Sequence, residues 1–407
     1  MFILTRSWGL AQAGRALAIG LATLVAACAA PQRGPAPPPP PPVQPAEPDA
    51  PPPLPQAAQN KVALLVPLTG PNAPVGRSIA NAASMALTDL GDTNINLRVY
   101  DTATGAEGAA ARALGEGAGV ILGPLLARDV RVVSARARAR QVPVIAFSND
   151  VSVAGDNVWI MGFQPEQAIA RVVRYARSRG VERFAALVPA GVYGERAQLA
   201  FVRAVAAAGG QATAVATYTR EPASQGAAVR TVTAIDERSR ARSATLPPVP
   251  FQALLIADSG SNAVRFVPAL SRFGAGPGET TLLGTELWNS EPGLARNAGM
   301  NGALFATVPD GNFRTLQTRY RARYGSTPSR LASLGYDSVL VINAIAGRWA
   351  LDAPFPVREL TSRQGFSGVD GAFRFGGAHI AERAMEVEQI GEGRLRVVSP
   401  APRGFSD

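Results

Sequence analysis

From Lys61 onward the chain alternates between two hydrophobic periods. "KVALLVPLTG" is a continuous apolar run closed by Pro, Thr and Gly, the pattern of a strand buried on both faces and followed by a loop. Val75, Ile79, Ala82, Ala83, Ala86 and Leu90 then fall at helical spacing. Strand patterns recur at Asn96 to Asp101, Gly119 to Pro124, Val142 to Ser148 and Val158 to Pro165, with helical patterns at Gly105 to Glu116 and Leu126 to Arg140 between them. The rhythm restarts with a helix from about Glu166 to Arg179. Strands follow at Phe184 to Ala190, Gln211 to Tyr218, Ala253 to Ser259 and Thr281 to Trp288, separated by helices at Glu195 to Ala208, Ser224 to about Ala241 and Asn262 to Phe273. Two βα blocks in series predict an α/β fold of two lobes, each a parallel sheet flanked by helices. The last third adds a strand at Gly302 to Val308, helices at Asn312 to Tyr324 and Leu331 to Ala350, and two Gly-turn hairpins, "GVDGAFRFGG" and "EVEQIGEGRLRVV".

Composition narrows the chemistry. At 407 residues, 47% of them apolar, the chain can bury a sizeable core. The sole cysteine, Cys28, excludes an intrachain disulfide, and the sole histidine, His379, makes a metal cluster or a His-based triad improbable. His379 lies in "GGAHIAER" and reads as an exposed turn residue. The net charge of +10 is carried mainly by Arg scattered through helical stretches such as "RVVSARARAR", and Lys61 is the only lysine. That is a solvated helix face and not the aromatic-interleaved patch of a nucleic-acid binder. There is no Gly-x-Ser-x-Gly elbow, no Gly-x-Gly-x-x-Gly after the first strand and no Walker lysine motif. The reading is a protein that is not an enzyme and has no cofactor.

The N-terminus carries Arg6 and Arg15, then a short apolar stretch from Ala16 to Ala27, the parts of a secretory signal peptide over residues 1–27. Val25-Ala26-Ala27-Cys28 resembles the bacterial lipobox. The resemblance implies cleavage before Cys28, lipidation of Cys28 and anchoring through acyl chains; Ala29, in place of Asp, favours the periplasmic face of the outer membrane. Residues 28–60 are dominated by proline from Pro31 to Pro55. Such a segment favours polyproline II and serves as a spacer, with a reach on the order of 80 Å.

Four stretches carry a wider resemblance: "VALLVPLTGPNAPVG", "GVILGPL", "VYGERAQLAFVRAVAAAGG" and "FSGVDGAFRFGG". With the βα rhythm they resemble the type I periplasmic binding protein fold in its leucine/isoleucine/valine-binding branch, over Lys61 to about Val398. The resemblance implies three crossings between the lobes, expected at Gly162 to Pro165, Gly284 to Trp288 and roughly Arg348 to Pro356. Residues 61–161 plus 285–350 would form lobe I, and 162–284 plus 351–407 lobe II. It also implies an interlobe cleft at the carboxyl ends of the strands. The candidate cleft residues are Thr69, Leu125, Ser148, Asn149, Tyr193, Asp258, Ser259 and Glu286; Tyr193 matches a ligand-facing tyrosine and Asp258 is the nearest acid for a ligand ammonium. Glu286 and Trp288 either face the cleft or pack the hinge. The loop Gly123 to Arg128 lacks the hydroxyl that grips a ligand carboxylate.

The lipobox, the proline spacer and this weakened pocket look like the penicillin-binding protein activator group, lipoproteins that stimulate a membrane-bound glycan synthase. That implies a bifunctional penicillin-binding protein as partner. The alternative is a periplasmic receptor for amino acids or related small molecules of an ABC transporter.

Overall fold

The computed structural model describes residues 59–91, 94–241, 245–291 and 293–405. The signal peptide, Cys28 and the proline-rich segment lie outside the described residues.

Lobe I opens with β1 (Asn60–Val66), α1 (Ala73–Leu90), β2 (Ile95–Asp101), α2 (Ala106–Gly115), β3 (Val120–Leu122), α3 (Ala127–Arg138), β4 (Val144–Ala146) and β5 (Val158–Ile160). Its five-stranded sheet runs β2-β1-β3-β4-β5, with every pair parallel. The run at β1 is apolar on both faces because both faces are covered: Val62, Leu64 and Val66 join one core cluster, Ala63 and Leu65 another.

Lobe II follows with α4 (Pro165–Ser178), β6 (Arg183–Pro189), α5 (Val192–Ala207), β7 (Gln211–Tyr218), α6 (Pro222–Thr233), the short α7 (Ile235–Arg238), β8 (Ala253–Ile256), α8 (Gly260–Arg272), β9 (Thr281–Gly284) and β10 (Leu304–Thr307). The chain returns to lobe I for α9 (Gly311–Tyr324), α10 (Ala332–Ala346) and an antiparallel sheet of β11 (Phe366–Gly368), β12 (Gly371–Phe375) and β13 (Ala381–Arg383). It ends in lobe II with β14 (Glu386–Gly391) and β15 (Arg394–Ser399). The seven-stranded sheet runs β15-β14-β10-β9-β8-β6-β7, with β14 antiparallel to β10 and to β15.

The two lobes repeat one local device. Gly76, in the first turn of α1, lies where a Cβ would stand 1.8 Å from the Pro67 carbonyl oxygen; at Gly194, in the first turn of α5, it would stand 1.6 Å from that of Pro189. In both, only glycine lets the helix close down on the strand that precedes it.

The lobe boundaries differ from the sequence expectation. The chain changes lobe between Ile160 and Pro165, between Thr307 and Gly311, and between Arg383 and Glu386. Residues 285–307 belong to lobe II, because Leu304 pairs with Leu283 of β9 and with Gln389 of β14. Residues 351–383 belong to lobe I, where Phe355, Leu360, Phe373 and Phe375 bury against β1 and α10. The second crossing falls instead at Val308-Pro309-Asp310, where a proline without an N–H cannot continue the ladder. The helix expected over 224–241 breaks at Ala234, which has φ +49°. There the buried Arg238 guanidinium gathers the carbonyls of Thr233, Pro247 and Phe273.

His379 is also not an exposed turn residue. It occupies the β12–β13 turn, but its ring stacks on Trp159 with centroids 4.4 Å apart and planes 9° from parallel. Ile160 N–H donates to the His379 carbonyl at 2.7 Å and draws the turn against β5.

Candidate functional site

Every sequence-predicted cleft residue lies at or just beyond the carboxyl end of a parallel strand, where an open α/β sheet binds its ligands. Thr69 follows β1, Leu125 follows β3, and Ser148 and Asn149 follow β4. Across from them, Tyr193 follows β6, Asp258 and Ser259 follow β8, and Glu286 follows β9.

Most of these groups are engaged with neighbours. Thr69 is exposed and donates to Asp101 Oδ2 at 2.8 Å. Leu125 packs on the lobe I core. Ser148 is buried, and its Oγ accepts the Asp150 N–H at 3.1 Å. Asp258 is saturated: Oδ2 accepts from Tyr218 at 2.8 Å, and Oδ1 accepts from Ser259 N–H at 2.7 Å and from Asn262 Nδ2 at 3.0 Å. That use is structural and leaves little for a ligand ammonium. Ser259 caps α8, accepting the Asn262 N–H. The Tyr193 hydroxyl lies 3.2 Å from Thr285 Oγ1; burial, and then the charge of Glu286, push its titration up, so it stays a donor.

Glu286 is the exception. Its Oε2 is buried and has no hydrogen-bond partner among the described residues. Burial pushes this carboxyl up to about 7; nearby Glu166 adds to the effect, while Arg196 and Tyr193 oppose it. Trp288 resolves the other way, as core packing within lobe II: it lies over Gly284, and its Nε1 donates to the Asp258 carbonyl at 3.0 Å.

The pattern search missed Arg196. From α5 it grips Glu166 through both carboxylate oxygens (2.9 and 2.8 Å), Gln164 Oε1 at 2.7 Å, and the Asn149 carbonyl of lobe I at 2.5 Å. One guanidinium thereby ties the two lobes together at the edge of the cleft. The available signal was its place one residue beyond "VYGE".

Beneath the cleft the three crossings meet in a buried charge cluster. Arg330 lies 2.8 Å from Asp370 and 3.7 Å from Asp310 of the second crossing. Arg383, at the third crossing, lies 3.9 Å from Asp370 and donates to the Met161 carbonyl of the first at 2.7 Å. The Phe163 ring faces both guanidinium groups, 5.5 Å from Arg330 and 4.7 Å from Arg383. Asp337 accepts the Val369 N–H at 2.6 Å; burial, and then the charge of Asp370, raise its titration.

The sequence profile of the family described as "periplasmic binding protein" matches residues 59–394. The chain belongs to the periplasmic binding protein family. Among solved structures, a protein from Rhodospirillum rubrum assigned to branched-chain amino acid ABC transport superposes with a TM-score of 0.71 at 18% identity, covering 84% of this chain and 100% of that one. The C-domain of Haemophilus influenzae LpoA, a regulator of PBP1A, superposes with a TM-score of 0.63 at 21% identity, covering 83% of this chain and 100% of that domain. At these identities the likeness shows the fold alone. An uncharacterised protein of Rickettsia prowazekii is 28% identical over 137 residues, 33% of this chain and 37% of its own length, so the match spans about a third of that curated relative. No helix among the described residues is long and apolar enough to cross a membrane.

Proposed function

We propose that the protein is a lipid-anchored periplasmic lipoprotein that binds and regulates a peptidoglycan synthase, using a solute-binding fold as a protein-binding module. The observation that carries the reading is the engagement of the cleft's polar groups with one another: Asp258 with Tyr218 and Asn262, Ser148 with Asp150, and Arg196 with Asn149 and Glu166. A receptor keeps such groups free to be satisfied by its solute. The likeness to the LpoA C-domain and the sequence features of the first 60 residues agree with it. Cys28 is the proposed lipid attachment point, residues 28–60 the proposed spacer and the outer membrane the proposed site of anchoring. Mass spectrometry of the mature N-terminus tests the anchor: a diacylated or triacylated Cys28 is expected. The function is tested by direct binding to the bifunctional penicillin-binding protein of the same cell and by its rate of glycan polymerisation. No complex and no change in rate would remove this reading.

A second reading, a receptor for amino acids or related solutes, is favoured by one observation, the bare Oε2 of Glu286 beside the Tyr193 hydroxyl. A buried carboxyl with a spare oxygen suits an ammonium or amide donor. Calorimetry against amino acids, amides and peptides separates the two. A dissociation constant of about 1 μM or tighter, ~−8 kcal/mol, lost in Glu286→Gln, would establish the receptor.

A further inference from the structure

Nine large hydrophobic side chains are exposed among the described residues, and three of them stand on one helix, α5: Val192, Leu199 and Val202, which are 68%, 58% and 45% exposed. The inner face of α5 is already spent, with Ala197, Phe201, Ala204 and Val205 buried in the lobe II core. The exposed residues form a second stripe. Val192, Glu195, Leu199, Val202 and Ala206 recur at alternating steps of three and four, the spacing of a helix–helix seam. Alongside the stripe, between α4 and α5, runs an open groove of about 470 Å³, walled in part by Ala170, Ala200, Ala204 and Ala207. These short side chains let a second helix settle close against α5.

Two charged groups border the stripe without a partner. Glu195 and Arg203 are exposed, and neither has an ion pair or a side-chain hydrogen bond among the described residues. They stand eight residues apart, four on either side of Leu199, which is ~12 Å along the axis and too far to meet on one helix. In an antiparallel pair of helices centred on Leu199, Glu195 of each copy comes level with Arg203 of the other. Val192 is then level with Ala206, and Val202 with Arg196, whose charge Glu166 already answers. Moving the centre by one turn would carry Glu195 and Arg203 ~11 Å apart, so the charges select one register. A stripe that holds both the acid and its base is self-complementary, as a two-fold contact between identical copies must be.

We propose that α5 is a self-association face, on which two copies of this chain pair antiparallel about a two-fold axis beside Leu199. Val192, Leu199 and Val202 are its apolar centre, and two Glu195–Arg203 pairs fix its register. At 16 residues the helix offers a contact ~24 Å long. That is the small end of specific interfaces, so the dimer forms and parts readily.

The test is sedimentation velocity of the full chain over a concentration series. The expected result is a monomer–dimer equilibrium with a dissociation constant of about 100 μM or tighter. Leu199→Glu should weaken it about tenfold or more, and so should Glu195→Arg or Arg203→Glu alone. Combining the two charge changes in one chain should restore association. Mixing the two single variants should give a heterodimer, because both ion pairs can then form. The three positions are exposed, so these variants fold, and Val132→Glu, at an exposed position of α3, should leave the dimer intact. A monomer up to about 1 mM, a dimer indifferent to Leu199→Glu, equal loss in Val132→Glu, or no rescue by the double variant and the mixture would overturn the proposal. So would capture of a synthase on α5 by a chain that stays monomeric.

Discussion

The cleft and the hinge beneath it both hold buried carboxyl groups, and they hold them in opposite ways. In the hinge, Asp310 and Asp370 are set against Arg330 and Arg383, charge against charge, with Phe163 facing both cations. In the cleft, Asp258 is met only by neutral donors, and Glu286 keeps one oxygen unmatched. A compensated cluster is intolerant of losing a member, because each deletion leaves a buried charge behind. An uncompensated carboxyl is the reverse, since its ionised form is already a burden.

The largest effect is therefore expected in the hinge. Arg383→Met should cost about 3–5 kcal/mol of unfolding free energy in denaturant titrations, much of it recovered when Asp370→Asn is added. A loss below ~1 kcal/mol would erase the contrast. Glu286→Gln should act in the opposite direction. The native carboxyl titrates near 7 against an ordinary 4.5, so the folded state holds a proton that the unfolded chain releases between those values. Stability from this group is complete below about 4.5 and falls as pH rises to about 7. The glutamine variant should remove that slope and gain about 3 kcal/mol above neutrality. Arg196→Ala should cost about 1–2 kcal/mol. It should also move the Glu286 transition to higher pH, because Arg196 opposes the upward shift of that carboxyl. Smallest of all is the exposed pair Arg136–Glu107 on α3 and α2. Arg136→Ala should change stability by ~1 kcal/mol or less, which calibrates the hinge result.

Much of this architecture was legible in the hydrophobic pattern. Both βα blocks read correctly, because a doubly covered strand such as β1 is an unbroken apolar run and α4 carries its core residues at helical spacing. The crossings were harder. The strand expected through Trp288 stops at Gly284, because the indole packs back over that glycine and the chain turns into a 3₁₀ segment. The turn signal Pro309-Asp310-Gly311 marked the actual crossing. Period-two alternation in "GAFRF" and "EVEQIG" announces strands but cannot say which sheet receives them, and these two joined different lobes. In the cleft, residue types named the positions but not their pairing. Nothing local shows that Asp258 is spent on Tyr218, 40 residues earlier. The hinge cluster was invisible for the same reason: Asp310, Arg330, Asp370 and Arg383 come from four separate stretches of chain.

The triple passage between lobes also sets a schedule for folding. One face of β1 is closed by α10 and Trp349, and Asn60 Nδ2 donates to the Trp349 carbonyl 289 positions later. Until that partner arrives an apolar strand face stands open, and lobe II is unfinished until β14 and β15 pair. Neither lobe is closed by a contiguous piece of the chain, so the N-terminal strand cannot be completed by local contacts and the body folds through pairings of high sequence separation.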